Sequence, residues 1–160
     1  MSNIDAIIDH IIALEGGYVD NLADKGGRTN YGIAEKSNPE AWVDGKVTED
    51  EARAIYMKKY VIGPGFDRVG DSNLMGQLVD FGVNSGPTVA ISKLQGILKV
   101  KVDGQLGPKT IDALTQHDAR VVGNLLVAER VKMIGRICVA NRSQIAFLNG
   151  WLNRALEFLR

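Results

Sequence analysis

The sequence "EGGYVDNLADKGGRTNYGI", residues 15–33, joins an apolar helical pattern to a polar segment rich in glycine. Before it, isoleucines at positions 4, 7, 8, 11 and 12 form the i, i+3, i+4, i+7, i+8 stripe of an amphipathic helix. Gly16 and Gly17 end that helix. From Tyr18 to Ala34 the helical period disappears, and "DKGG" supplies turn residues between short extended pieces. We therefore predict a helix followed by a small β-hairpin, with Glu15 at their junction.

Glu15 lies on the apolar side of the predicted helix. At 100° per residue it is about 20° from Ile4 and about 20° from Ile8. It also lies in the last turn, where the helix dipole is negative and normally attracts Lys or Arg. Apolar neighbours and a negative helix end both disfavour the ionised carboxylate, and a carboxyl that keeps its proton can act as a general acid. The alternative is a helix that frays early and lets Glu15 reach water.

Two polar residues of the predicted hairpin, Asp24 and Thr29, can fold back toward Glu15. A pair of carboxylates across a groove is the usual equipment for cleaving a glycosidic bond, because one protonates the leaving oxygen and the other activates water or attacks the sugar. The Thr29 hydroxyl can share a water with Asp24. Acidic residues near turns are common, so this pair is compatible with a glycosidase but is weak evidence for one by itself.

The rest of the chain is predicted to be mostly helical. "TEDE" at residues 48–51 is a capping box that opens a helix through about Tyr60, and "NLMGQLVDFGVNSG" is typical of another helix. Pro87 and Pro108 begin two more, and segments at about 118–139 and 143–159 complete the chain. The fold class is therefore α+β, predominantly α-helical, with one small N-terminal hairpin and a single domain over residues 1–160.

The composition excludes several kinds of protein. A chain of 160 residues with 45% hydrophobic residues can bury a core. The single Cys138 excludes an internal disulfide and is expected to be an inert core thiol. Neither His10 nor His117 has neighbours at metal-ligand spacing, so no metal or other cofactor is predicted. The density of basic and aromatic residues is too low for a nucleic-acid binder.

Charge is unevenly distributed although the formal net charge is zero. Residues 1–80 hold 8 Lys and Arg against 14 Asp and Glu, whereas residues 81–160 hold 11 against 5. Two solvated faces explain this, and so does a basic surface that approaches an anionic polymer or membrane. The N-terminus "MSNIDAIIDHII" has acidic residues where a signal peptide has Lys or Arg. Synthesis in the cytoplasm without a signal peptide is expected.

The whole pattern resembles glycoside hydrolase family 108, the lysozyme-like muramidases found often as phage endolysins. The family pattern runs E-G-G-Y and then D-P-G-G-x-T-N-x-G-I-T. This chain departs from it at Lys25, in place of the proline, and at Ala34, in place of the final threonine. "TEDEARAIYMKKYV" and "DFGVNSGP" resemble later family segments. Residues 87–115, with "KLQGILKVKVDGQLGPKTIDAL", are similar to a peptidoglycan-binding module integrated within the domain. The matching residues are Glu15, Gly16, Gly17, Tyr18, Asp24, Gly26, Gly27, Thr29, Asn30, Gly32 and Ile33.

By that resemblance Glu15 is the proton donor in hydrolysis of the β-1,4 bond between N-acetylmuramic acid and N-acetylglucosamine. Asp24 and Thr29 would position the attacking water, which implies inversion and a carboxyl separation of about 6.5–9.5 Å. Peptidoglycan glycan strands are then the partner, and a monomer is expected. The lack of a signal, together with the family, implies release to the periplasm through a holin.

Four further residues are candidate substrate contacts: Tyr18, Asn30, Tyr31 and Asn84. The two tyrosines can pack on sugar rings, and the two asparagines can hydrogen-bond hydroxyl or N-acetyl groups. Ordinary hairpin packing explains the tyrosines equally well.

Three alternatives stay open. The first is a lytic transglycosylase, which uses one Glu as acid and then base and forms an anhydro-sugar. The second is a non-catalytic peptidoglycan-binding protein. The third concerns only the tail "SQIAFLNGWLNRALEFLR", which is either a final helix docked on the core or a basic amphipathic segment that contacts an anionic outer membrane.

Overall fold

The computed structural model describes residues 3–19 and 27–160. Contacts divide the chain into two compact units, Met1–Gly63 and Pro64–Arg160. The described residues form seven α-helices and one two-stranded antiparallel sheet, which confirms the predicted α+β, predominantly helical class. A single domain over residues 1–160 stays a prediction. In the described part of the chain, no helix combines the length and the apolar character needed to cross a membrane.

The first unit begins with helix α1, Asn3–Glu15. Its stripe residues Ile8, Ile11 and Ile12 are buried, as the periodicity predicts. Gly16 follows with φ at +78°, and its N–H donates to the Ile12 carbonyl at 3.3 Å. Glycine adopts this left-handed conformation without steric cost, so the predicted glycine stop is confirmed.

The predicted hairpin is present, but its described two-residue turn is not the predicted one. Strand β1, Thr29–Asn30, pairs antiparallel with β2, Ile33–Ala34. Tyr31 and Gly32 connect them with φ of 49° and 74°, the two positive values of a type I′ turn. Three residues of "DKGG", at 24–26, lie outside the described residues.

Helix α2, Glu49–Tyr56, starts at the predicted capping box. The Thr48 hydroxyl accepts from the Glu51 N–H at 3.3 Å, and the Glu51 carboxylate accepts from the Thr48 N–H at 2.7 Å. Two short 3₁₀ helices, Glu35–Ser37 and Pro39–Trp42, connect the hairpin to it. A π-helical segment, Met57–Ile62, continues it slightly beyond the expected end at Tyr60.

The second unit is helical throughout its described core. Its buried centre includes Leu74, Leu78, Phe81, Leu94 and Leu126. Asp71 and Asp118 cap two of the helices with their carboxylates, and Pro87 and Pro108 begin two others as predicted. The helices are α3, Ser72–Ser85; α4, Pro87–Leu98; α5, Pro108–Thr115; α6, Ala119–Ala140; and α7, Leu148–Leu156.

The C-terminal segment differs from the single helix expected at 143–159. It forms a 3₁₀ stretch, Arg142–Phe147, before α7 begins at Leu148. Asn141 caps the 3₁₀ stretch by accepting from the Ser143 N–H at 3.1 Å. This bond satisfies one of the N–H groups at the start of the segment, as an N-cap does.

Helix α7 is docked on the second unit through a buried carboxylate on α3. Asp80 accepts from Arg130 Nη1 of α6 at 2.7 Å and from Arg154 Nε of α7 at 2.8 Å. Ala155 is buried beside Ile134 and Cys138, so the thiol lies in the core as predicted. These contacts support the docked interpretation of the C-terminal helix.

Candidate active site

The site begins with Glu15, the last residue of α1. Its side chain is partly buried, while Ile11 and Ile12 in the preceding turn are buried in the first unit. Leu14 is exposed, so Glu15 lies at the border between the apolar stripe and solvent. The helical geometry predicted Glu15 at the centre of the apolar stripe, and in the structure its side chain is less buried than that position implies.

Gly32 of the hairpin turn lies directly against the Glu15 side chain. A Cβ built on Gly32 would lie 3.1 Å from Glu15 Cβ and 3.2 Å from Glu15 Cγ, and it would collide with the Tyr56 hydroxyl. Only a residue without a side chain fits this space. The hairpin turn and the end of α1 thus form one closely packed junction.

Tyr56 of α2 fixes that turn from the other side. Its hydroxyl donates to the Tyr31 carbonyl at 3.0 Å, and its ring is buried. Reasoning from the sequence did not identify Tyr56. One signal in the sequence could have identified it. The capping box locates the start of α2, and Tyr56 lies four residues after Ala52, so both side chains are on the same, buried face of that helix.

Thr29 and Asn30 hold the hairpin by different bonds. The Thr29 backbone exchanges two hydrogen bonds with Val19, at 2.8 and 2.9 Å, in an isolated antiparallel bridge. The Asn30 side-chain amide donates to the Val47 carbonyl at 2.8 Å. This bond gives Asn30 a structural contact, and its predicted role in substrate binding stays a prediction. Asp24 lies outside the described residues.

An aromatic and cationic surface adjoins the hairpin. Tyr18 is 54% exposed, and its ring centroid lies 6.4 Å from that of buried Trp42. The Arg28 guanidinium lies 5.0 Å from the Trp42 ring and forms a bidentate pair with Glu35, at 2.6 and 2.9 Å. Hydrogen bonding from Arg28 keeps the pKa of the Glu35 carboxyl below its ordinary value. An exposed ring of this kind can pack against a sugar.

Asn84 belongs to the second unit, on the last turn of α3. Its side-chain amide donates to the Asp80 carbonyl at 2.8 Å, and its side chain is exposed. Of the predicted site residues, the first unit therefore contains Glu15, Thr29, Asn30 and both tyrosines. Within the described residues, no cluster of three His, Cys, Asp or Glu side chains is arranged to hold a metal ion.

Comparison with known proteins finds matches to both segments that the sequence analysis compared with known families, the N-terminal hydrolase segment and the C-terminal peptidoglycan-binding segment. Residues 8–86 match the family glycosyl hydrolase 108, and residues 89–156 match a predicted peptidoglycan domain. The second match extends well beyond residues 87–115. No curated protein matches the chain.

Among solved structures, the chain is similar to that of Brucella abortus SagA. The two share 29% sequence identity with a TM-score of 0.73, and the match covers 98% of this chain and 95% of that chain. Because residues 8–86 match glycosyl hydrolase family 108 and residues 89–156 match a predicted peptidoglycan domain, this chain is a lysozyme-like glycoside hydrolase that acts on peptidoglycan.

Proposed function

We propose that the enzyme is a muramidase that hydrolyses the β-1,4 bond between N-acetylmuramic acid and N-acetylglucosamine, with Glu15 as the general acid. The observation that carries the proposal is the junction around Glu15. Glu15 ends the amphipathic helix α1, and Gly32 of the hairpin turn lies so close that a Cβ there would be 3.1 Å from Glu15 Cβ and 3.2 Å from Glu15 Cγ. Both residues lie within the segment that matches the hydrolase family. Protonating the glycosidic oxygen requires a carboxylic acid held in one position.

Asp24 and Thr29 complete this proposed mechanism by orienting water. Thr29 lies on the strand that leads into the Tyr31–Gly32 turn, so its hydroxyl belongs to the same small hairpin that contacts Glu15. Water attacks the sugar carbon from the face opposite the leaving group, which inverts the anomeric configuration. Tyr18, Asn30, Tyr31 and Asn84 are the proposed contacts to the glycan strand.

Product analysis tests the reaction. Purified peptidoglycan is digested with the wild-type protein, and the soluble fragments are analysed by mass spectrometry and by a reducing-end assay. Hydrolysis adds water and gives ordinary reducing ends. Fragments that end in 1,6-anhydro-muramic acid would instead identify a lytic transglycosylase.

We also propose that the enzyme acts in host lysis as a phage endolysin, made in the cytoplasm and released to the periplasm through a holin. Peptidoglycan-directed activity supports this setting. Expression in a bacterial cytoplasm with and without a co-expressed holin tests it. Rapid lysis only with the holin is expected, and equal lysis in both cultures would contradict the proposal.

A further inference from the structure

We infer that a small pocket in the second unit binds a carboxylate carried on a small apolar group, and that the peptides of peptidoglycan supply this group. The pocket has a volume of about 110 Å³, which is well below the roughly 300–1,000 Å³ of sites for whole small molecules. It can therefore take only the end of a longer ligand. Its lining residues include Asn84, Arg130, Ile134, Ile137 and Trp151.

Arg130 gives the pocket its charge. It is 4% exposed, so its guanidinium is held in surroundings where electrostatic interactions are stronger than in water. Its Nη1 donates to Asp80 Oδ2, but Asp80 also accepts from Arg154. One carboxylate thus accepts hydrogen bonds from two guanidinium groups, and Arg130 reaches it through a single nitrogen.

A carboxylate is the group that suits this position. The contact with Asp80 uses one of the five N–H donors that a guanidinium offers, and arginine binds carboxylates by forked, charge-assisted hydrogen bonds. The pocket's aliphatic and aromatic wall, from Ile134, Ile137 and Trp151, suits a methyl group beside that carboxylate.

The wall peptides present this combination, because they carry alanine methyl groups next to free carboxylates. An exposed aromatic surface also continues beyond the pocket. Phe147, which is 56% exposed, stacks on Trp151 with ring centroids 5.7 Å apart, and it can support the rest of the ligand. The inference rests on the proposed action on peptidoglycan and specifies which part of that polymer the second unit recognises.

NMR titration of the full chain tests the inference. The chain has two tryptophans, and the Trp151→Phe variant assigns their indole N–H signals. The probe is N-acetyl-D-alanyl-D-alanine, and the matched control is its C-terminal carboxamide, which lacks the charge. We expect the acid to shift the Trp151 signal and to bind at least about tenfold more tightly than the amide, the effect of one charge-assisted hydrogen bond.

Two variants localise the binding. Ile137→Glu places a carboxylate in the pocket, while Val139→Glu places one on the same helix at a residue that is 84% exposed and does not line it. Binding of the acid should weaken at least about tenfold in the first variant and stay unchanged in the second. Equal weakening in both would overturn the inference.

Two other results would also overturn it. One is equal binding of the acid and the amide. The other is a shift of the Trp151 signal by a tetramer of N-acetylglucosamine but not by the peptide, since that would identify a sugar site.

A parallel reducing-end assay separates the two proposals. If the wild-type protein cleaves peptidoglycan but does not bind N-acetyl-D-alanyl-D-alanine, only the inference about the pocket is contradicted. If the protein binds this peptide but does not cleave peptidoglycan, only the proposed muramidase function is contradicted.

Discussion

Gly32 meets two requirements that an L-residue with a side chain cannot meet together. Its φ of +74° lies in the left-handed region, and its missing Cβ leaves room for Glu15 and the Tyr56 hydroxyl. Gly45 has a similar φ of +81° but nothing within 4 Å of its position for a Cβ. The two glycines therefore separate backbone strain from side-chain crowding.

Replacing Gly32 by alanine should cost more stability than replacing Gly45. For Gly45→Ala we expect a loss of about 1 kcal/mol from backbone strain alone. For Gly32→Ala we expect roughly 1–3 kcal/mol more, because the added methyl must displace its neighbours. Chemical unfolding of both variants measures the difference.

The same pair of variants links the turn to activity. Gly32→Ala should release reducing ends from peptidoglycan much more slowly than Gly45→Ala under conditions where both are folded. Equal stability and equal activity of the two variants would show that the contact between Gly32 and Glu15 has no role in the site.

At the scale of single elements, the start of α2 supports the site through Tyr56. Thr48→Ala removes the side-chain acceptor at the first turn, and we expect a loss of about 1 kcal/mol in the free energy of unfolding. Thr115→Ala, at the end of α5, is the matched control and should change stability by less than about 0.5 kcal/mol, as surface substitutions usually do. Similar losses in both variants would contradict the capping role.

The buried carboxylate of Asp80 joins α3 to both α6 and α7. Asp80→Asn keeps the size of the side chain but removes the buried negative charge that both Arg130 and Arg154 contact. We expect it to destabilise the protein by about 3–5 kcal/mol, measured by urea unfolding. Asp112→Asn, on the exposed side of α5, is the control. A loss below about 1 kcal/mol for Asp80→Asn would show that the ion pairs with Asp80 do not hold these helices.

The tail of the chain illustrates what an element's sequence can and cannot predict. Its apolar spacing predicted a helix, and its arginines suggested a basic edge for an anionic membrane. In the structure Arg154 pairs with Asp80 and Arg160 pairs with Asp71. Both carboxylates belong to distant parts of the sequence, so these pairs were invisible to reasoning from the helix alone. Contact with an outer membrane stays a prediction that the paired arginines do not favour.

Across the whole molecule, the sequence predicted what depends on local signals. The isoleucine stripe, the Thr48 capping box and the two helix-starting prolines each act within a few residues, and each is observed. The turn at Tyr31–Gly32 was missed because tyrosine rarely adopts positive φ. There the conformation depends on contacts with Glu15 and Tyr56, which lie far apart in sequence.

The candidate site follows the same division. Glu15 was predicted from the geometry of one helix and from the family resemblance. Tyr56 and Trp42 approach the candidate site only through tertiary packing, which the sequence does not reveal. The pocket around Arg130 was also missed, because it combines residues from α3, α6 and α7. Such a combination has no period or spacing in the sequence.

The central claim is that the Glu15 carboxyl donates the proton that cleaves the glycan strand. The most direct test compares Glu15→Gln with Glu40→Gln, which makes the same change at an exposed residue of the first unit, in release of reducing ends from purified peptidoglycan. Glu15→Gln should lose at least about 99% of the activity, since a general acid contributes roughly 10²–10⁴-fold to the rate. Circular dichroism should show that this variant is folded, and Glu40→Gln should retain full activity. A folded Glu15→Gln variant that cleaves peptidoglycan at the wild-type rate would contradict the claim.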